Sequence, residues 1–196
     1  MRTLFSKTVE LTKLQMANRT QRPYPTTPRS IGVHVQEINK RLALAAGQLN
    51  DGPSPFGDFD GETYPALPAV GVAWEEFRAS TYSDSELLWQ PTESERDGIY
   101  GTPDGLYLGY HDMTIWECKF TTKKIQPIEQ MWLYCKQGLA YCAQEKLNHV
   151  MYDVCWMMGD YTRPYNPILT TTLVEFDNRE IEAWWKIMLE TAKDMR

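Results

Sequence analysis

The stretch that decides how this chain folds is Gly101-Thr-Pro-Asp104-Gly-Leu-Tyr-Leu-Gly-Tyr110-His-Asp-Met-Thr-Ile115-Trp-Glu117-Cys-Lys119-Phe. Residues 106–110 and 113–120 are rich in aromatic and β-branched side chains and are separated by turn-forming residues, so they read as paired strands. Alternation along the second strand puts Trp116, Cys118 and Phe120 on one face and Ile115, Glu117 and Lys119 on the other. The first is a core face. The second carries a carboxylate and an ammonium side by side, which are costly to bury unless they serve a ligand; an edge-strand ion pair is the plain alternative. Asp104-Gly105 reads either as a hairpin turn or as a second carboxylate that the returning chain brings beside Glu117. Two carboxylates near a lysine suit phosphodiester hydrolysis. Carboxylates hold a hard divalent cation through oxygen, and the lysine orients or deprotonates the attacking water.

Outward from this hairpin the pattern alternates helix and strand. Downstream, a helix is expected over 127–146, strands over 150–158 and 168–176 split by an Arg163-Pro-Tyr-Asn-Pro167 turn, and a helix over 178–193 with Ile181, Trp184, Trp185, Met188 and Leu189 as its packing stripe. Upstream lie short strands at 86–90 and 99–101, a helix over 68–80, a Gly-, Pro- and Asp-dense loop over 50–65, and a helix over 31–49 capped by Ser30. Asp58 to Glu62 in that loop lack the ligand spacing of an EF-hand. The order defines one α/β domain, residues 30–196, with a central mixed β-sheet flanked by helices. Residues 1–29 read as an extended, basic arm, because Pro23, Pro25 and Pro28 forbid a helix there.

Composition supports a globular chain. Its 196 residues are 42% hydrophobic and 23% charged, with a mean hydropathy of −0.49. No run approaches the roughly 18 apolar residues of a membrane span, and residues 1–14 lack the apolar core of a signal peptide. Cys118, Cys135, Cys142 and Cys155 show no CxxC spacing, which favours reduced thiols and a cytoplasmic location. Membrane, secreted and collagen-like classes are excluded. The net charge of −6 conceals an asymmetry: residues 1–41 carry eight basic and two acidic side chains, leaving an acidic body. A basic arm on such a body reads as a contact for a polyanion or as an ordinary solvated terminus.

Four ordered motifs give the pattern a family likeness. Pro103-Asp104 followed by Glu117-Cys118-Lys119 resembles the PD-(D/E)xK motif of the restriction-endonuclease-like nucleases. Gln130-Met-Trp-Leu-Tyr134 resembles the QxxxY motif of their RecB-like branch, and Gly71-Val-Ala-Trp-Glu75 the glycine-to-acid helix motif before the hairpin. Glutamate at 75, where many RecB-like members carry histidine, is closer to the lambda-exonuclease branch; Glu76 beside it is the competing acid. The resemblance spans residues 68–176 and implies a restriction-endonuclease-like fold. It also implies a Mg2+- or Mn2+-dependent deoxyribonuclease, an exonuclease of phage or mobile-element recombination, repair or genome processing.

On that likeness Asp104, Glu117, the Cys118 carbonyl and Glu75 hold the metal, and Lys119 activates water. Gln130 braces Lys119 or the phosphate, while Tyr134, Lys123 and Lys124 meet the DNA backbone. The cysteine pattern of iron–sulfur relatives is absent, so no iron–sulfur cluster is expected, and there is no Walker A loop. DNA is the implied partner, with a single-strand annealing or other recombination protein as a further one; no membrane is expected, and the oligomeric state is open, a homo-oligomer included. A non-cleaving DNA-binding or phage assembly accessory protein on the same fold is the alternative, and RNA is a third substrate class.

Overall fold

A computed structural model describes residues 1–10, 30–48, 66–109, 112–121, 124–157 and 167–195. The expectations for residues 11–29, the 50–65 loop, Lys123 and the 163–166 turn lie outside the described residues. Among those described, the elements in chain order are β1 Arg2–Glu10, β2 Val33–His34, α1 Val35–Ala45, α2 Ala66–Ala79, β3 Leu87–Trp89, β4 Ser94–Arg96, β5 Ile99–Gly101, β6 Gly105–Leu108, β7 Met113–Thr121, a 3-10 turn at Ile128–Gln130, α3 Trp132–Glu145, β8 His149–Trp156, β9 Ile168–Glu175 and α4 Asn178–Lys193. Six strands form one sheet in the order β1-β9-β8-β7-β6-β3, and β2-β5-β4 form a smaller one. In the larger sheet β7 and β8 run parallel and the other pairs antiparallel. This is a mixed α/β domain with four described helices around a central mixed sheet.

β7 lies inside the sheet, between β6 and β8, which removes the edge-strand reading of its charged face. Both of its faces are covered. Ile115 belongs to a core with α1, α3 and α4, contributed by Ile38, Leu139, Tyr141, Trp185 and Met188. Trp116 and Cys118 belong to a second core with Trp74 and Ala79 of α2. A strand covered on both sides loses the apolar-in, polar-out alternation of a half-exposed one.

Four expectations change. Residues 2–10, expected in a free arm, form β1, paired with β9 from Arg2↔Glu175 to Glu10↔Ile168; alternating charged and apolar residues suit an edge strand as well as an arm. The first helix starts at Val35, because Val33 and His34 first pair in parallel with Ile99 and Tyr100. The helix expected from 127 is broken at Met131, whose backbone (φ −90°, ψ 73°) separates the 3-10 turn from α3. The Asp-Gly hairpin turn is Asp97-Gly98, between β4 and β5, with both residues in the left-handed region (φ 56° and 77°). Asp104-Gly105 makes no such turn. Gly105 packs instead, since a Cβ there would meet Leu87 Cδ1 at 2.8 Å and Trp116 Cε3 at 2.9 Å.

The α2 side of the sheet is tied by one buried carboxylate. Asp153, 0% exposed in mid-β8, accepts from Arg78 Nη2 at 2.7 Å, Tyr82 Oη at 2.9 Å and Trp116 Nε1 at 2.9 Å. Its other oxygen accepts from Thr171 Oγ1 at 2.5 Å. Arg78→Leu leaves that charge buried without its counter-ion and is expected to cost about 3–5 kcal/mol of stability. Adding Asp153→Asn should recover part of the loss, and urea unfolding of the single and double variants checks both.

Candidate active site

The charged side chains of β7 meet where β6 ends. The last β6–β7 pair is Gly105↔Trp116, so Asp104 stands just beyond the ladder, level with the Glu117–Lys119 segment. Freed from pairing, the Cys118 N–H donates to Asp104 Oδ2 at 2.8 Å. In extended backbone the carbonyl of a residue points to the same side as its N–H, so the Cys118 carbonyl also faces this opening. Lys119 Nζ lies 3.1 Å from Asp104 Oδ2 and 2.6 Å from Glu117 Oε2, an ammonium held between two carboxylates. Glu117 is 0% exposed, and beyond that ammonium and the backbone at Asp104 no donor reaches its oxygens among the described residues.

Glu75 joins the site from α2. Its buried Oε1 accepts from Trp89 Nε1 at 2.9 Å and from the Gln90 side-chain amide. Of the two candidate acids in α2, Glu75 is the one whose charge couples to Asp104 and Lys119. Gly71, one turn earlier, has no neighbour among the described residues within 4 Å of where a Cβ would stand.

Burial dominates the electrostatics. It raises Glu117 to about 8, with the charge of Asp104 adding to the shift and Lys119 opposing it. It raises Glu75 to about 7, again helped by Asp104 and opposed by the Trp89 and Gln90 hydrogen bonds. Burial alone would lower Lys119, but Asp104 and Glu117 outweigh it and hold the ammonium well above the ordinary lysine value. A region this negative, with a single lysine to balance it, is one that a further cation would relieve.

The helix over the site differs from the expected one. Gln130 is exposed on the 3-10 turn, not on the helix of Tyr134. Tyr134 is half-buried beside Thr121 and Lys119, and burial raises its pKa. The same Gln-x-x-x-Tyr spacing recurs seven residues on, as Gln137 and Tyr141, and sequence reading passed over it. Tyr141 is 1% exposed and feels the charges of Glu117, Lys119 and Asp104, while Gln137 Nε2 donates to its hydroxyl at 3.1 Å. Residues seven apart share a helix face, so both pairs fit the periodicity; after the break at Met131, Gln137 and Tyr141 lie on one helix and Gln130 and Tyr134 do not. Lys124 is exposed three residues past β7.

The donor set is hard oxygen: two or three carboxylates, one of them fully buried, and a strand carbonyl at the end of a ladder. It suits a hard divalent cation. Among the described residues no three His, Cys, Asp or Glu side chains are already gathered as a metal cluster. The Lys119 ammonium stands between Asp104 and Glu117.

No protein-family model matches the chain, and no characterised protein matches it in sequence. Among solved structures it is similar to SSO0001, with a TM-score of 0.51 and 10% identity over 84% of this chain and 78% of that one. It is also similar to a phage related exonuclease from Haemophilus somnus 129PT, with a TM-score of 0.43 and 14% identity over 82% and 79%. The first is a likeness of fold; the second is too slight to bear on function. No helix among the described residues is long and apolar enough to cross a membrane.

The raised carboxylates set a pH dependence. Unfolded, Glu75 and Glu117 titrate near 4.5; folded, near 7 and 8. Between those limits the folded chain binds more protons, so stability falls as pH rises. In EDTA the urea midpoint should therefore drop from pH 5 to pH 8, and Glu117→Gln should remove much of that drop.

Proposed function

We propose that the protein is a metal-dependent deoxyribonuclease of the PD-(D/E)xK type, hydrolysing phosphodiester bonds, with exonucleolytic digestion as the mode its sequence likeness implies. One observation carries this reading: an ammonium wedged between two carboxylates, one of them fully buried, at the open end of a β-ladder. As a purely structural feature that arrangement is poor, because a buried charge needs full pairing to be worth keeping.

Asp104, Glu117, the Cys118 carbonyl and Glu75 are the residues that would hold Mg2+ or Mn2+. Such a cation, when bound, supplies charge neutralisation at the phosphate and acidifies the attacking water. Lys119, an ammonium that shares its carboxylates with that charge, orients the attacking water and the phosphate as a hydrogen-bond donor. Tyr141, bonded by Gln137, feels the charges of Glu117 and Lys119. Tyr134, beside Thr121, and Lys124 would meet the nucleic-acid backbone. Lys123 keeps that role from its sequence position alone.

Lys119→Ala should leave a folded protein whose single-turnover cleavage of linear DNA falls by roughly a hundredfold or more. Asp104→Asn and Glu117→Gln should abolish Mg2+-dependent cleavage, as should EDTA. Cys118→Ser keeps its carbonyl and should still cut, with a lower melting temperature. Parental rates in Lys119→Ala, or a dead Cys118→Ser beside active acid variants, exclude this assignment of β7.

A further inference from the structure

Glu75 reaches the site from a helix packed on the opposite face of the sheet, so something must fix where its carboxylate ends. α2 is anchored by Arg78 to Asp153, one turn beyond Glu75 and on the far side of β7. That anchor sets the helix and leaves the glutamate's own side chain free to turn. The chain supplies the remaining constraint at the end of β3, where two consecutive residues donate to one atom. Trp89 Nε1 lies 2.9 Å from Glu75 Oε1, and the Gln90 amide donates to the same oxygen.

Gln90 is also conformationally unusual. It is a non-glycine residue in the left-handed region, φ 50°. Its backbone N–H donates to the Asp104 carbonyl at 3.0 Å while its side chain bonds Glu75. One residue thereby ties together the carriers of two site acids that are 29 positions apart in sequence. Trp89 is itself fixed, paired with Gly105, the residue after Asp104. A left-handed glutamine costs energy that the surrounding structure must outweigh, and such residues cluster where geometry is functional.

We propose that Trp89 and Gln90 are positioning residues, a two-donor clamp that holds Glu75 Oε1 and registers it against Asp104, so that the divalent cation meets a preset carboxylate. This rests on reading Glu75 as a cation ligand. Neither residue touches the reacting atoms. Loss of the clamp should weaken cation binding more than it slows chemistry at saturating cation.

Three variants test it, with Mn2+ as the probe. Gln90→Gly removes the side chain and also the cost of the left-handed backbone. Gln90→Asn tolerates that backbone but is one methylene too short to reach Glu75. Trp89→Phe keeps the ring and loses the N–H. The exposed Leu88→Thr is the control. Melting temperature is measured in EDTA and across a Mn2+ titration, and single-turnover cleavage of linear duplex DNA across the same range.

In EDTA, Gln90→Gly should melt at or above the parent. For all three clamp variants the Mn2+ concentration giving the half-maximal rise in melting temperature should increase about tenfold, the scale of losing a residue that orients a metal ligand. Cleavage should recover toward the parental maximum at high Mn2+. Unchanged Mn2+ midpoints in Gln90→Gly and Trp89→Phe overturn the clamp even if the parent cleaves DNA. A Gln90→Gly that melts far below the parent in EDTA makes the pair a folding element and also overturns it. A parent that binds Mn2+ without cutting, with midpoints shifted in the variants, supports the clamp and removes the nuclease reading. A parent that neither binds Mn2+ nor cuts removes both.

Discussion

The contact on which the rest of the molecule depends is the ammonium of Lys119 between Asp104 and Glu117, inside a strand covered on both faces. Removing three charges from water is costly, and attraction within the trio offsets that cost only where geometry is tight. The surrounding packing supplies that geometry. Gly138 lets α3 settle onto the sheet, since a Cβ there would stand 2.0 Å from Tyr152 Oη. That hydroxyl in turn donates to the Tyr134 carbonyl at 2.9 Å, pinning the helix beside Glu117's neighbouring strand. Gly101 does the same at the other end of α3, leaving space for Gln144 and Tyr141. The helix face over the acids therefore carries tyrosines and amides, which can answer charge, where an ordinary core would carry aliphatics.

Asp153 and Glu117 make an instructive pair, both 0% exposed on adjacent strands. Asp153 is saturated: Arg78, Tyr82, Trp116 and Thr171 all donate to it. It does what a buried carboxylate needs to do in a stable core, fixing α2 to the sheet. Glu117 is answered mainly by one ammonium, Lys119 at 2.6 Å. Equal burial with unequal satisfaction separates a carboxylate that holds the fold from one that the fold holds ready.

Much of this was legible in the sequence. The Asp104, Glu117 and Lys119 convergence follows from strand alternation and a hairpin, both local patterns, and the strands from 113 onward and α4 fall close to their expected bounds. What was not legible depends on contacts remote in sequence. The Met131 break moved Gln130 off the helix of Tyr134, and nothing in Ile-Glu-Gln-Met-Trp announces a non-helical residue. The duplicated Gln-x-x-x-Tyr spacing could have warned that periodicity alone would not choose between Tyr134 and Tyr141. Of two Asp-Gly turn signals, local chemistry could not tell that 97–98 turns and 104–105 packs. Asp153 draws no notice within an apolar strand, because its partners Tyr82 and Arg78 lie 71 and 75 residues upstream.

The basic N-terminus takes a different meaning once residues 2–10 are a strand. Arg2 pairs with Glu175 at 2.8 Å and the terminal amine with Glu180, so part of the positive charge of the first 41 residues is answered by the chain's own acids. The rest of the chain is acidic, and the site gathers Asp104, Glu117 and Glu75 around one lysine. Such a site repels phosphate unless a cation lies between them. On the proposed reading, binding of the cation and binding of the nucleic acid are therefore one linked event, each strengthening the other by the same factor. The chain would then be excluded from its substrate electrostatically until the carboxylates around Lys119 are filled.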